Sequence, residues 1–350
     1  MTTVAVLGAG SWGTTMAALL AERVATRLWA RRPALAAAMG ATGHNPDYVP
    51  DLVLPPGLAV TGSLAEALDG AEVVVVAVPS QGFRDVLGRA APHLVPGAPV
   101  VSLTKGLEQA TARRMTEIVA EVAPRHPRGV LTGPNLVGEI VARQPTAGVV
   151  AMAGPGGRPD LDLAGEVQAL VSTDRYRAYT NADVVGSELA GALKNVVAIA
   201  AGMADGLGFG DNSRAALVTR GLAELTRLGV ALGGEPMTFA GLAGMGDLVA
   251  TCISPLSRNR FVGEQLGRGR ALAEITAETR WVAEGVPTAP VVLQLAAAAG
   301  VETPICAEVD AVVHRSKPVP EVVAELMGRV MKPEIHGLGV GAARVTPPGS

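Results

Sequence analysis

Aromatic residues are scarce: Phe, Trp and Tyr make up 3% of the 350 positions. So few rings leave no stacking platforms for nucleic-acid bases. The 29 basic residues are outnumbered by 32 acidic ones, so the chain also lacks the cationic field that a phosphate backbone requires. An anionic small molecule needs only a local basic cluster and stays open as a partner. Cysteine is nearly absent. Cys252 and Cys306 form no metal-ligand spacing and suggest no disulfide framework, which fits a reducing cytosol. The five histidines (His44, His93, His126, His314 and His336) are scattered without an i, i+4 pair, so no metal is expected. No Lys or Arg precedes the apolar stretch Val4 to Leu20, and Gly8, Gly10 and Gly13 interrupt it, unlike a signal peptide. The longest apolar run elsewhere, Leu189 to Met203, contains Lys194 and Asn195. It falls short of the roughly 18 to 20 residues that span a bilayer, so no membrane insertion is expected.

What is abundant is Ala, Val, Leu and Gly, within a hydrophobic fraction of 49%. Such residues build a core of helices packed closely on a sheet, and the length suits two domains. Short β-branched runs alternate with helical patterns in the first half: Val4–Leu7, Ala25–Ala30, Val73–Val78, Pro99–Ser102, Val130–Thr132 and Thr146–Ala151. That alternation predicts a parallel sheet with crossover helices. The unbroken Val73–Val78 run, stopped by Pro79, reads as a central strand covered on both faces. Beyond about Thr180 the strand-like runs cease and long Ala/Leu/Gly segments follow, at Ser187–Ala204, Arg214–Leu232 and Pro290–Ala299. The expectation is an α/β fold: an N-terminal Rossmann-type doubly wound parallel sheet over 1–183, then an all-α domain over 184–331. A direct strand-to-helix passage near Asp183 would join them, placing a site between the domains. The segment 332–350, rich in Gly and Pro, is expected to be poorly ordered.

Strand Val4–Leu7 runs straight into Gly8-Ala9-Gly10-Ser11-Trp12-Gly13, a G-x-G-x-x-G match between a strand and a helix. Gly8 permits the tight turn, Gly10 admits a pyrophosphate, and Gly13 allows the helix to pack closely with its N-terminal amides facing the anion. An NAD site would carry an acidic residue at the end of the second strand to bind the ribose 2′-hydroxyl. This chain instead has Arg31-Arg32 there. Two guanidiniums attract a 2′-phosphate, which favours NADP(H) while leaving NAD(H) possible. The plainer alternative is an exposed Arg pair capping the turn before Pro33.

Four segments carry groups suited to chemistry. Lys194 lies in an Ala/Leu/Val/Gly helix with almost no polar company. Desolvation would push its ammonium toward neutrality, as a proton donor to a developing alkoxide requires. A lysine snorkelling to solvent fits the pattern equally. Lys105 follows Pro99–Ser102 at the carboxyl end of a parallel strand, where α/β folds place ligands. Ser257-Arg258-Asn259-Arg260 joins guanidinium, hydroxyl and amide, a set able to grip phosphate or to form a polar inter-helix loop. Asp247 follows Gly244-Met245-Gly246 and could bind a hydroxyl, position a lysine, or act as an N-cap.

In order and spacing these segments resemble the bacterial NAD(P)-dependent glycerol-3-phosphate dehydrogenases. The resemblance also includes Asn45-Pro46-Asp47-Tyr48-Val49-Pro50, Leu103-Thr104-Lys105-Gly106-Leu107-Glu108, Gly133-Pro134-Asn135, Glu188-Leu189 with Ala192-Leu193-Lys194-Asn195, and Glu284-Gly285. It implies hydride transfer between NAD(P)H and C2 of dihydroxyacetone phosphate, giving sn-glycerol 3-phosphate for glycerophospholipid synthesis, in a cytoplasmic homodimer. It further implies that Lys194 is the general acid/base, and that Lys105, Gly133, Asn135, Asp247, Ser257, Arg258 and Asn259 contact substrate. Ser11, Trp12, Arg31, Arg32, Tyr48, Lys105, Val137, Arg258, Val282 and Glu284 would line the cofactor site. Two positions depart from the pattern: Asn135 stands where Ser or Thr is usual, and Val137 where Ala is usual. The rival readings are a β-hydroxyacid or ketopantoate-type dehydrogenase and a non-catalytic NADP(H)-sensing module, the latter having no use for a desolvated lysine.

Overall fold

The structure is a computed structural model describing residues 2–279, 281–331, 333 and 334. Most of the expected 332–350 tail therefore lies outside the described residues. Eight strands form one sheet: β1 (Thr3–Leu7), β2 (Ala25–Trp29), β3 (Leu58–Thr61), β4 (Val73–Val76), β5 (Val100–Ser102), β6 (Arg128–Thr132), β7 (Thr146–Ala153) and β8 (Tyr176–Thr180). Their order is β3-β2-β1-β4-β5-β6-β7-β8, with β1 in register with both β2 and β4 (Val6 opposite Leu28 and Val75). The period-two alternation of β1 feeds two cores. Val4 and Val6 pack with Met16, Leu20 and Leu28 on one face, and Ala5 and Leu7 with Phe83, Leu87 and Ile118 on the other. β4 is central and its Val74 and Val76 are fully buried, as the unbroken valine run predicts.

Three features differ from the sequence expectation. β3 and β8 were not among the expected strands. β3 is a four-residue edge strand after Pro55-Pro56-Gly57, and β8 alternates buried Tyr176 and Ala178 with exposed Arg177 and Tyr179, so neither shows a continuous β-branched run. β7 pairs antiparallel to β6, while every other pairing is parallel. A β-branched run marks a strand but carries no mark of its direction, which the connection fixes. Here the chain turns back through the short helix Val137–Val141.

From Thr180 the chain passes within three residues into the helix Val184–Gly206, whose first turn Asp183 caps by accepting from the Gly186 amide at 2.7 Å. At 23 residues this helix is longer than the apolar run read from sequence, and is long and apolar enough to cross a membrane. It is instead the axis of a core, with 89% of its apolar window buried by the rest of the chain. Helices Asp211–Ala231, Asp247–Ile253, Arg258–Gly267 and Gly285–Ala299 surround it. Its closest neighbour is Arg258–Gly267, and glycines make the approach possible. A Cβ at Gly202 would lie 2.0 Å from the Arg260 carbonyl oxygen, and one at Gly263 would lie 1.9 Å from that of Ile199. This crossing sets where Arg258 and Asn259 stand relative to Lys194.

Candidate active site

The strand order reverses between β1 and β4, and their carboxyl ends open into a cleft of about 630 Å³. Gly8 turns there with φ +118°, and a Cβ on it would strike the Ala77 carbonyl oxygen at 2.5 Å. Gly13 lets the helix Ser11–Ala21 meet this turn, since a Cβ on it would fall 2.0 Å from the Gly8 carbonyl oxygen. A Cβ at Gly10 would meet nothing within 4 Å, because that face opens on the cleft. Asn45 braces the loop from beneath. Its Nδ2 donates to the Ala9 carbonyl at 3.0 Å and to Thr14 Oγ1 at 2.8 Å, while its Oδ1 accepts from the Asp47 and Tyr48 amides. The Asn45–Tyr48 segment is thereby tied to the glycine turn, and Ser11 Oγ donates to the Tyr48 carbonyl at 3.3 Å. Arg31 and Arg32 both line the cleft, but differently. Both are exposed, but Arg32 is ion-paired to Asp47 and lies 6.0 Å from the centre of the Tyr48 ring.

At the inner end two lysines share one carboxylate. Lys194 Nζ donates to Asp247 Oδ1 at 2.6 Å and Lys105 Nζ to Asp247 Oδ2 at 2.7 Å. Lys194 also donates to Thr251 Oγ1 at 2.5 Å, and that hydroxyl donates onward to the Asp247 carbonyl at 2.6 Å. Lys105 completes its contacts on the Gly133 carbonyl at 2.7 Å. Lys194 is 5% exposed, and burial pushes its ammonium down to about 8, with Asp247 opposing the shift and Lys105 adding to it. The isolation read from its helical neighbours therefore holds only along its own helix, because Asp247 and Thr251 arrive from the helix Asp247–Ile253 across the core. Asp247 opens that helix and serves the lysines rather than acting as a cap. Cys252, beside them, is held as a neutral thiol by burial.

A chain of amides links this cluster to the outer wall. Asn195 Nδ2 donates to the Lys105 carbonyl at 2.9 Å, its Oδ1 accepts from Asn259 Nδ2 at 2.9 Å, and Asn259 Oδ1 accepts from the Gly285 amide at 2.9 Å. Ser257 caps the helix Arg258–Gly267 by accepting from the Arg260 amide at 3.2 Å, and Arg260 turns away to pair with Asp205 at 2.7 Å. Arg258 projects into the cleft. It is open to solvent there but walled by protein, which lowers its pKa, with Glu284 opposing. Burial raises Glu284, which accepts from Ser80 Oγ at 2.5 Å and from the Ser80 amide at 3.1 Å, joining the sheet half to the helical half.

Most residues singled out from sequence thus meet at one cleft, including Ser11, Trp12, Tyr48, Asn135, Val137 and Val282. Gly13, Gly133 and Asp247 stand behind its wall instead. Sequence reading missed Thr251 and Ser80 and gave Asn195 no role. Only the i, i+4 spacing of Asp247 and Thr251 on one helix could have signalled Thr251.

Both halves match models of one family. Residues 3–156 fit the N-terminal and 183–324 the C-terminal part of NAD-dependent glycerol-3-phosphate dehydrogenase. A Sphingopyxis alaskensis protein named glycerol-3-phosphate dehydrogenase (NAD(P)+) 2 is 50% identical over 333 residues, spanning 95% of this chain and 98% of the relative. A Thermobifida fusca glycerol-3-phosphate dehydrogenase (NAD(P)+) is 50% identical over 342 residues, spanning 97% and 100%. The crystal structure of glycerol-3-phosphate dehydrogenase from Coxiella burnetii superposes with a TM-score of 0.89 at 36% identity, covering 94% of this chain and 99% of that one. Matched in order through both halves, this chain belongs to the NAD-dependent glycerol-3-phosphate dehydrogenase family.

Proposed function

We propose that this protein is an NAD(P)-dependent sn-glycerol-3-phosphate dehydrogenase, interconverting dihydroxyacetone phosphate and sn-glycerol 3-phosphate at C2. The observation that carries this reading is the buried Lys194 ammonium, paired with Asp247 and Thr251 at the inner end of the cleft that the glycine turn opens. The turn fits a dinucleotide: Gly8 and Gly13 are required for its shape, and Gly10 is bare toward the cleft. Gly8, Gly10, Ser11, Trp12 and Gly13 would hold the pyrophosphate region, Arg31 and Arg32 the 2′-phosphate of NADP(H), and Tyr48, Val137, Val282 and Glu284 the remaining length. When bound, the reduced nicotinamide supplies the hydride.

Lys194 supplies the proton. Asp247 and Thr251 accept two of its three N–H bonds, leaving the third for the substrate oxygen at C2. With its pKa near working pH, it gives a proton to the forming alkoxide in reduction and, as amine, takes one back in oxidation. Lys105, held by the opposite carboxylate oxygen, adds a second positive charge that polarises the carbonyl. Arg258 is the phosphate anchor, with the Ser257 hydroxyl as a further donor. Asn259, already committed to Asn195 and Gly285, keeps one N–H to give. Remote phosphate binding fixes the reacting carbon against Lys194.

For this chemistry the chain divides into a dinucleotide-binding part, 1–183, and a catalytic part, 184–331, acting as a cytoplasmic homodimer that supplies glycerophospholipid synthesis. NADP(H) is the preferred cofactor, because the chain leaving β2 puts Arg31 and Arg32, and no Asp or Glu, at the cleft. The assay follows loss of reduced-nicotinamide absorbance with dihydroxyacetone phosphate and NADPH or NADH in turn. Turnover that requires the phosphate group is expected, and equal turnover of unphosphorylated dihydroxyacetone would overturn the reading.

A further inference from the structure

Tyr176 opens β8 and is 1% exposed. It lies between the two matched segments, 3–156 and 183–324. Its hydroxyl donates to Asn135 Oδ1 at 2.9 Å. Gly148 on β7 makes room for the phenol, since a Cβ there would stand 2.2 Å from the Tyr176 hydroxyl oxygen. Burial raises the phenol's pKa, so it keeps its proton throughout the working pH range. Among the described residues the phenol has this one acceptor, and a buried O–H left without an acceptor is costly. The amide therefore turns its oxygen to Tyr176 and its nitrogen away. That Nδ2 is buried and has no acceptor among the described residues, although Asn135 lines the same cleft wall as Lys105 and Lys194.

We propose that Tyr176 is a positioning residue, locking Asn135 so that its N–H bonds serve an acceptor oxygen of the substrate. This inference rests on the function proposed above. A Ser or Thr hydroxyl at this position could rotate to donate or accept. The locked amide can only donate, so this site takes an oxygen that accepts there, whether carbonyl, phosphoryl or the lone pair of a hydroxyl, and disfavours a hydroxyl that must itself donate to it. The acceptor requirement matches Lys105 and Arg258, two cations that line the same cleft and likewise offer donors only.

The test is a cycle of Tyr176→Phe, Asn135→Ser and the double variant, with steady-state kinetics in dihydroxyacetone phosphate and in NADPH. Tyr176→Phe frees the amide to flip and is expected to raise KM for the substrate about 3- to 10-fold. Its kcat and KM for NADPH should change less than about twofold. In the Asn135→Ser background, Tyr176→Phe should leave the substrate KM unchanged, which a merely structural role would not produce. Asn135→Asp keeps the phenol's bond but replaces the donor by an acceptor, and should raise KM more than Tyr176→Phe does. Equal effects of Tyr176→Phe in both backgrounds, a rise in KM for NADPH instead of substrate, or an unchanged KM in Asn135→Asp would each overturn the proposal. A wild-type protein that does not reduce dihydroxyacetone phosphate would sink the functional reading first and this one with it. An active wild type without coupling would sink this one alone.

Discussion

Replacing Asp247 by Asn tests the proton donor through its charge rather than its removal. Asp247 touches Lys194 Nζ at 2.6 Å and Lys105 Nζ at 2.7 Å, so one carboxylate offsets two ammonium groups, the buried Lys194 and the half-buried Lys105. Desolvation and Lys105 lower the Lys194 pKa, Asp247 raises it, and the balance stands at about 8. The acid form is thus present below that value and lost as pH rises through it, so wild-type reduction should fall along a limb near pH 8. Losing one opposite charge at this range lowers a pKa by about one to three pH units. Relative to wild type, Asp247→Asn then has about 2- to 90-fold less acid form at pH 7 and about 5- to 500-fold less at pH 8. The deficit grows with pH, whereas misfolding would lower the rate by the same factor throughout. Initial rates of dihydroxyacetone phosphate reduction across this range, at saturating NADPH, give the limb directly. A limb in the variant that stays where the wild type has it would refute the assignment of Lys194 as the acid.

Lys194→Ala should lower kcat on the order of a hundredfold or more while NADPH binding, followed by nicotinamide fluorescence, stays near the wild-type Kd. Because Arg32 is already paired with Asp47, Arg31→Ala should cost more of the NADPH-over-NADH preference than Arg32→Ala, by about tenfold in the ratio of kcat/KM values. The reverse order would mean the Asp47 pair opens for the cofactor. Gly263→Ala drives a methyl group into the Ile199 carbonyl and should destabilise the fold by about 1 to 3 kcal/mol, read as a lowered Tm.

Local chemistry was legible in the chain as written. The glycine turn after β1, the valine run of β4 and the long apolar helix bearing Lys194 are dictated by rules that act over a few residues: which backbone shapes glycine alone allows, and which side-chain periods bury. The sequence by itself thus determined the α/β order and the dinucleotide turn, and its motifs singled out Lys194, Lys105 and Arg258, which line one cleft, and Asp247, which pairs with both lysines. Tertiary structure alone decided what those groups do to each other. It reversed β7, added the edge strand β3 and the outer strand β8, and brought Asp247 and Thr251 onto Lys194 and Tyr176 onto Asn135. Such contacts join positions about 40 to 60 residues apart in the chain, and a hydrogen bond between distant side chains leaves no period in the sequence. The charge on Lys194 is set by that assembly, because a pKa answers to whatever stands within a few ångströms, whichever part of the chain supplied it.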